Sequence, residues 1–91
     1  MRIFCTYFLD VLKPHRPSST LVAKTLLELE GVRTVRVSVD ELDQKTASLH
    51  IKVEGTDVEI EEISRTLEEL NCALHSVDEV MVKKMDDLPE D

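Results

Sequence analysis

The feature that most constrains the fold is a long apolar run near the N-terminus, residues 3–12, followed by Lys13-Pro14. Its aromatic, β-branched and aliphatic side chains predict a β-strand, and the proline predicts where that strand ends. Successive residues of a strand point to opposite faces. Here both faces carry apolar groups: Ile3, Cys5, Tyr7, Leu9 and Val11 on one, and Phe4, Thr6, Phe8, Asp10 and Leu12 on the other. A strand that is apolar on both faces is expected at the centre of a sheet, covered on both sides.

Composition narrows the functional classes. The 91 residues make one small domain, which gains stability from oligomerisation. A net charge of −8 without a basic stripe disfavours nucleic-acid binding, and neither a membrane span nor a signal peptide is apparent. The two cysteines, Cys5 and Cys72, do not form a C-x-x-C pair. They are predicted to be buried, unbridged thiols, as is typical of a cytoplasmic protein.

The remaining periodicities predict five further elements. Helical spacing of apolar residues predicts two helices, and strict alternation predicts strands. The first helix is expected to end at Gly31 and the second at Asn71, each in the left-handed region. The predicted elements are a helix at 19–30, a strand at 32–40, a polar turn at 41–45, a strand at 47–54, a helix from about 60 to 70 and a strand at 72–82.

The resulting order, β-α-β-β-α-β, predicts an α+β fold of the ferredoxin-like type, with a four-stranded antiparallel sheet and two helices on one face. The first and third strands are then central, and the second and fourth form the edges. Residues 1–82 make the domain, and residues 83–91 form a charged C-terminal tail. Because two helices cover only one sheet face, Phe4, Phe8 and Leu12 on the other face are predicted to contact a second subunit.

Six acidic residues are candidate ligands for a divalent cation, since hard cations such as calcium take carboxylate oxygens. They are Asp10 within the first strand, Asp40, Glu41 and Asp43 at the hairpin turn, and Asp78 and Glu79 in the last strand. Each has a structural alternative. Asp10 could pair with Lys52 or His50, the turn acids could be solvated, and the last two could protect a sheet edge from unwanted pairing.

No catalytic motif is present in the sequence. The three histidines, His15, His50 and His75, lack the spacing of a zinc site. Lys13, His15 and Ser18 precede a helix N-terminus, where an anion could bind. There is no P-loop, nucleophile elbow or dinucleotide-binding glycine pattern, so we expect a protein that is not an enzyme.

Several segments resemble one protein family. The runs LDVLKPH at 9–15, PS at 17–18, ELDQ at 41–44 and HSVDEV at 75–80 are similar to an uncharacterised, mostly archaeal family, domain of unknown function 211. The resemblance covers nearly the whole chain and implies a ferredoxin-like fold and closed homo-oligomeric rings, of the hexamer or heptamer class. It also implies bound divalent cations, calcium in particular. The chain departs from the family where the second helix begins, because Glu59 stands where a better capping residue such as Asp is expected.

The sequence therefore favours a ring-forming, non-enzymatic cytoplasmic protein whose acids bind divalent cations. A second hypothesis is a small-molecule-sensing module, like the amino-acid-binding regulatory domains that share this fold. A third is an enzyme whose site combines Asp10 with the loop from Lys13 to His15.

Overall fold

The structure, a computed structural model that describes residues 1–85, has the predicted order of strands and helices. The elements are β1 (Ile3–Pro14), α1 (Ser19–Leu27), β2 (Val32–Leu42), β3 (Thr46–Thr56), α2 (Ile60–Glu69) and β4 (Ala73–Lys84). The strands form one antiparallel sheet in the order β2-β3-β1-β4. The ferredoxin-like fold is therefore confirmed, with β1 and β3 central and β2 and β4 at the edges.

The core lies between the sheet and the two helices. Alternate residues of the central strands are buried, as Leu9 and Val11 of β1 illustrate. They pack in one cluster with Leu26 of α1 and with Ile63 and Leu67 of α2. Burying each such side chain contributes about 1.5–3 kcal/mol, so this layer is the main source of stability. The face of the sheet opposite the helices, here called the open face, has no layer over it among residues 1–85.

β1 continues through Pro14, two residues beyond the predicted end of the strand. Lys13 is buried although it is charged, because its Nζ donates hydrogen bonds to the carbonyl oxygens of Pro14, His15 and Pro17 at 2.8, 3.4 and 3.0 Å. Pro14, which has no amide hydrogen to donate, lies beyond the end of the β1–β4 pairing at Leu12 and is paired with β3 alone. The ammonium group that could have held an anion is thus already occupied by the loop carbonyls.

α1 begins where it was predicted but ends earlier. The Ser18 side chain caps it, accepting a hydrogen bond from the Leu21 amide at 3.1 Å. The helix ends at Leu27 rather than residue 30, because the next two amides bond to carbonyls only three residues back, which tightens the last turn. Gly31 has the expected positive φ, +86°, but lies in the loop before β2 and not directly at the helix end.

The two glycines mark a place where two backbones cross. β3 continues through Gly55 and Thr56, two residues further than predicted, and the Thr56 amide donates to the Gly31 carbonyl at 2.8 Å. A Cβ on Gly55 would lie against the Gly31 carbonyl oxygen and 2.7 Å from the Cα of Val32. Close approach of two chains therefore requires glycine inside this strand.

The second half of the chain follows the prediction closely. α2 begins after Glu59, whose side chain makes no capping hydrogen bond, and Asn71 adopts a left-handed φ of +62° just after the helix. Lys83 and Lys84, predicted to belong to the tail, are the last residues of β4. The rest of the predicted tail, residues 86–91, lies outside the described residues. None of the helices in residues 1–85 has the length and hydropathy needed to cross a membrane.

Candidate functional site

The open face is organised in rows that run across the four strands. Residues directly opposite one another on neighbouring strands share a face. One row, here called the charged row, consists of Arg36 on β2, Lys52 on β3, Phe8 on β1 and Glu79 on β4. The next row along contains Ser38, His50, Asp10 and Ser76. The open face is therefore largely polar, with aromatic side chains on its central strand.

Phe8 and Phe4 are less exposed than the sequence suggested. Both are half-buried within a single chain, and the Lys52 ammonium lies 5.6 Å from the centre of the Phe8 ring. Lys52 also lies 3.6 Å from Glu54. Leu12 is 44% exposed and remains the most accessible of the three residues predicted to form a subunit contact. That contact stays a prediction, and the apolar area available for it is modest.

Asp10 has partners other than those considered from the sequence. Its carboxylate lies 3.3 Å from Nδ1 of His75 and accepts a 3.5 Å hydrogen bond from the Ser48 hydroxyl. His75 reaches it because the β1–β4 pairing shifts register between Asp10 and Val11, which leaves His75 as an extra residue on β4. Although His50 is directly opposite Asp10, it lies 3.6 Å from Asp40 instead.

The other acidic candidates are dispersed along both edges. Asp40 and Asp78 are the extra residues where the edge strands shift register against their neighbours. Asp78 accepts a 2.7 Å hydrogen bond from Ser76. Glu41 pairs across the hairpin with Ser48, and the Asp43 amide closes the turn. Within residues 1–85, no three His, Cys, Asp or Glu side chains are grouped so that they could hold a metal ion. Calcium binding therefore stays a prediction.

Several apolar side chains on the helix-bearing face of the sheet are exposed at its two edges. On β4 these are Val77, Val80 and Val82, which are 40%, 54% and 58% exposed and are here called the β4 patch. On β2 they are Val39 and Leu42, 55% and 75% exposed. All five side chains lie on the same face of the sheet as the core, but the helices do not cover them. The alternation of apolar and polar residues predicts that these side chains lie on strands, but it does not predict that they stay exposed.

Burial favours the neutral forms of two ionisable side chains, Cys72 and Tyr7. Both cysteines are free and buried, as predicted, and burial raises the pKa of the Cys72 thiol. The Tyr7 hydroxyl donates a 2.8 Å hydrogen bond to the Val58 carbonyl. Burial, with smaller contributions from Cys5 and nearby glutamates, raises the pKa of Tyr7 from 10.0 to about 12. Neither group is activated as a nucleophile or base near neutral pH.

A wide cleft of about 820 Å³ lies at one end of the molecule, between the start of α2 and the Gly31 loop. Its walls carry both signs of charge. Arg2 lies 3.9 Å from Asp57, and Arg65 lies 3.4 Å from Glu62. These ion pairs are exposed and contribute little to stability.

The fold and its surface define a class: a small α+β protein of ferredoxin-like topology with a polar open face, in which neither edge of the sheet is paired within residues 1–85. The model of one family, DUF211, described as "Uncharacterized ArCR", matches residues 6–86. An uncharacterized protein of the archaeon Methanocaldococcus jannaschii, MJ0319, is 37% identical over 76 residues, which cover 84% of this chain and 78% of that protein. The chain therefore belongs to the DUF211 family, and the resemblance seen in its sequence is confirmed.

Proposed function

We propose that this protein acts as a closed ring of identical subunits and that its role depends on assembly rather than on catalysis. The observation that carries the proposal is the pair of sheet edges. β2 and β4 have 11 and 12 residues, and neither has a strand on its outer side among residues 1–85. Long unpaired edges of this kind are templates for pairing with another chain.

The strand directions allow the two edges to join. Each neighbouring pair in the order β2-β3-β1-β4 is antiparallel, so β4 runs opposite to β2. If a second copy is placed beside the first in the same orientation, its β2 lies antiparallel to β4 of the first copy. Such a contact uses different surfaces on the two copies. Contacts of that type close into a ring when the rotation between copies is a fraction of a full turn.

Burial of the edge valines supplies a driving force. Covering an exposed valine side chain contributes about 1.5–3 kcal/mol when it is fully exposed, so half-exposed residues such as Val80 contribute about 1 kcal/mol each. The new strand-to-strand ladder also pairs backbone groups that otherwise bond to water. Because a domain of this size is marginally stable alone, a gain of a few kcal/mol per contact is substantial.

The polar constellation of the open face supports a role other than catalysis. Asp10 touches both Ser48 and His75, so the carboxylate and not the imidazole lies beside the hydroxyl. Activation of a serine requires the opposite arrangement, with the imidazole between the hydroxyl and the carboxylate. The buried thiols, with the raised pKa of Cys72, also favour a structural role for both cysteines.

Light scattering over a dilution series tests the proposal. A closed ring gives one discrete mass, a whole multiple of the 10.4 kDa chain, that is constant over a wide range of concentration. An open chain of subunits would instead grow as concentration rises. A mass of one chain at all concentrations would contradict the proposal.

A further inference from the structure

The two ends of the charged row carry opposite charges that have no ion-pair partner among residues 1–85. Arg36 lies on the β2 edge directly opposite Lys52, a residue of the same sign, and among residues 1–85 it has no carboxylate within ion-pair distance. Glu79 lies on the β4 edge opposite Phe8 and likewise has no cation within that distance in the described part of the chain. Like charges directly opposite on neighbouring strands are unfavourable. Lys52 has Glu54 at 3.6 Å, so Arg36 is the member of this pair that lacks a carboxylate among residues 1–85.

We infer that β4 of one copy pairs with β2 of the next in a single register, with Glu79 opposite Arg36. This inference rests on the proposed ring and names the surface that builds it. The row then continues without a stagger from one copy to the next, and the carboxylate of Glu79 balances the adjacent cations Arg36 and Lys52. Glu79 on the β4 edge of one copy and Arg36 on the β2 edge of the next thus form an ion pair between copies.

The same register also matches the other face of the sheet. Two rows on the helix-bearing face flank the charged row. One runs from Val35 on β2 to Val80 on β4, and the other runs from Val37 on β2 to Val77 on β4. Continuing those rows between copies therefore packs two valines of the β4 patch against the half-buried valines of the neighbouring β2. Cross-strand pairs of β-branched residues stabilise a sheet.

Other registers lose this match. A slip of one residue would turn the valines of β4 towards the polar side chains of the open face. A slip of two residues keeps the faces but places Glu79 opposite Thr34 or Ser38, so that Glu79 no longer lies directly opposite Arg36. Charge on one face and side-chain packing on the other therefore select the same alignment.

Disulfide trapping tests the register. Val35→Cys combined with Val80→Cys places two thiols opposite each other across the proposed contact. Within one chain these positions are three strand spacings apart, about 14 Å, so a bond must join two copies. The matched control combines Val39→Cys with Val80→Cys. It uses the same face and edge but is displaced by about 13 Å along β2, beyond the reach of a disulfide.

We expect mild oxidation of the first variant to give a ladder of linked chains on a non-reducing gel, and the control to stay at the mass of one chain. Cys5 and Cys72 are buried and are present in both variants, so they contribute equally. If the control links and the first variant does not, the register is wrong. If the wild-type protein is oligomeric and neither variant links, this inference fails while the ring proposal stands. If the wild-type protein is monomeric, both fail.

Charge reversal gives an independent test. Arg36→Glu and Glu79→Arg should each raise the concentration at which the assembly dissociates by about tenfold or more, because each creates a like-charge pair at the contact. The double variant restores opposite charges and should return that concentration towards the wild-type value. Arg65→Glu is the control for Arg36→Glu, because it makes the same change in net charge but lies on α2. It should leave the dissociation concentration nearly unchanged. A double variant as weak as the single variants would overturn the pairing.

Discussion

Val80→Asp should dissociate the assembly while leaving the fold of the single chain intact. Val80 is 54% exposed in the single chain, so the fold itself depends on it only in part. In the proposed contact the change removes about 1 kcal/mol of apolar burial and adds a carboxylate whose desolvation costs several kcal/mol. A total loss of about 3–4 kcal/mol corresponds to a weakening of more than about 100-fold in the affinity between copies.

The assay is light scattering of Val80→Asp beside Phe8→Asp, with circular dichroism to show that each variant is folded. Phe8 lies on the open face, which the sequence predicts to be the main subunit contact, so the two variants separate the two surfaces. If the edges join the copies, Val80→Asp has the mass of one chain or a small fragment of the ring. If Val80→Asp keeps the parent mass and Phe8→Asp does not, the edge account is wrong and the open-face prediction is right.

Three further predictions concern the single chain and its ligands. Gly55→Ala should destabilise the fold by about 1–3 kcal/mol, because its Cβ would lie against the Gly31 backbone; a melting temperature equal to that of the parent would contradict this. Tyr7 has a raised pKa, so its protonated form stabilises the fold below pH 10, and that contribution is lost as the pH rises from 10 to about 12. The free energy of unfolding of Tyr7→Phe, measured in urea, should therefore depend less steeply on pH in that window than that of the parent protein. Equal slopes would show that Tyr7 is not the titrating group. Calcium should raise the melting temperature of the assembled protein against a chelator control, with magnesium acting more weakly, and no shift at millimolar calcium would count against a cation role. A metabolite that raises the melting temperature where calcium does not would favour the small-molecule-sensing hypothesis.

The order and pairing of the strands could be predicted because periodicity reports which face of a strand is covered. Alternation in β2 and β3 and the doubly apolar β1 were enough to place the central and edge strands. The ends of elements were predicted less well, because tertiary contacts decide them. β1 runs through Pro14 because a buried Lys13 ties down the following loop, and β3 runs through Gly55 because another backbone crosses it.

The contacts of the candidate site were harder to predict. Asp10 was correctly singled out as a carboxylate on a central strand that needs a partner. Its partner, His75, is brought there by a register shift in β4, and a single extra residue of that kind leaves no signature in hydrophobic periodicity. The same holds for Asp40 on β2 and Asp78 on β4, because each is the extra residue where an edge strand shifts register against its neighbour.

Hydrogen exchange of the backbone amides shows whether β2 of one copy joins β4 of the next. At concentrations where the protein is assembled, the outward-facing amides of both edge strands should exchange more slowly than in the dilute single chain, and by a similar factor, since each ladder bond joins one edge to the other. The amides of the central strands β1 and β3 should change much less. An assembled protein in which either edge exchanges as fast as in the single chain would contradict the account.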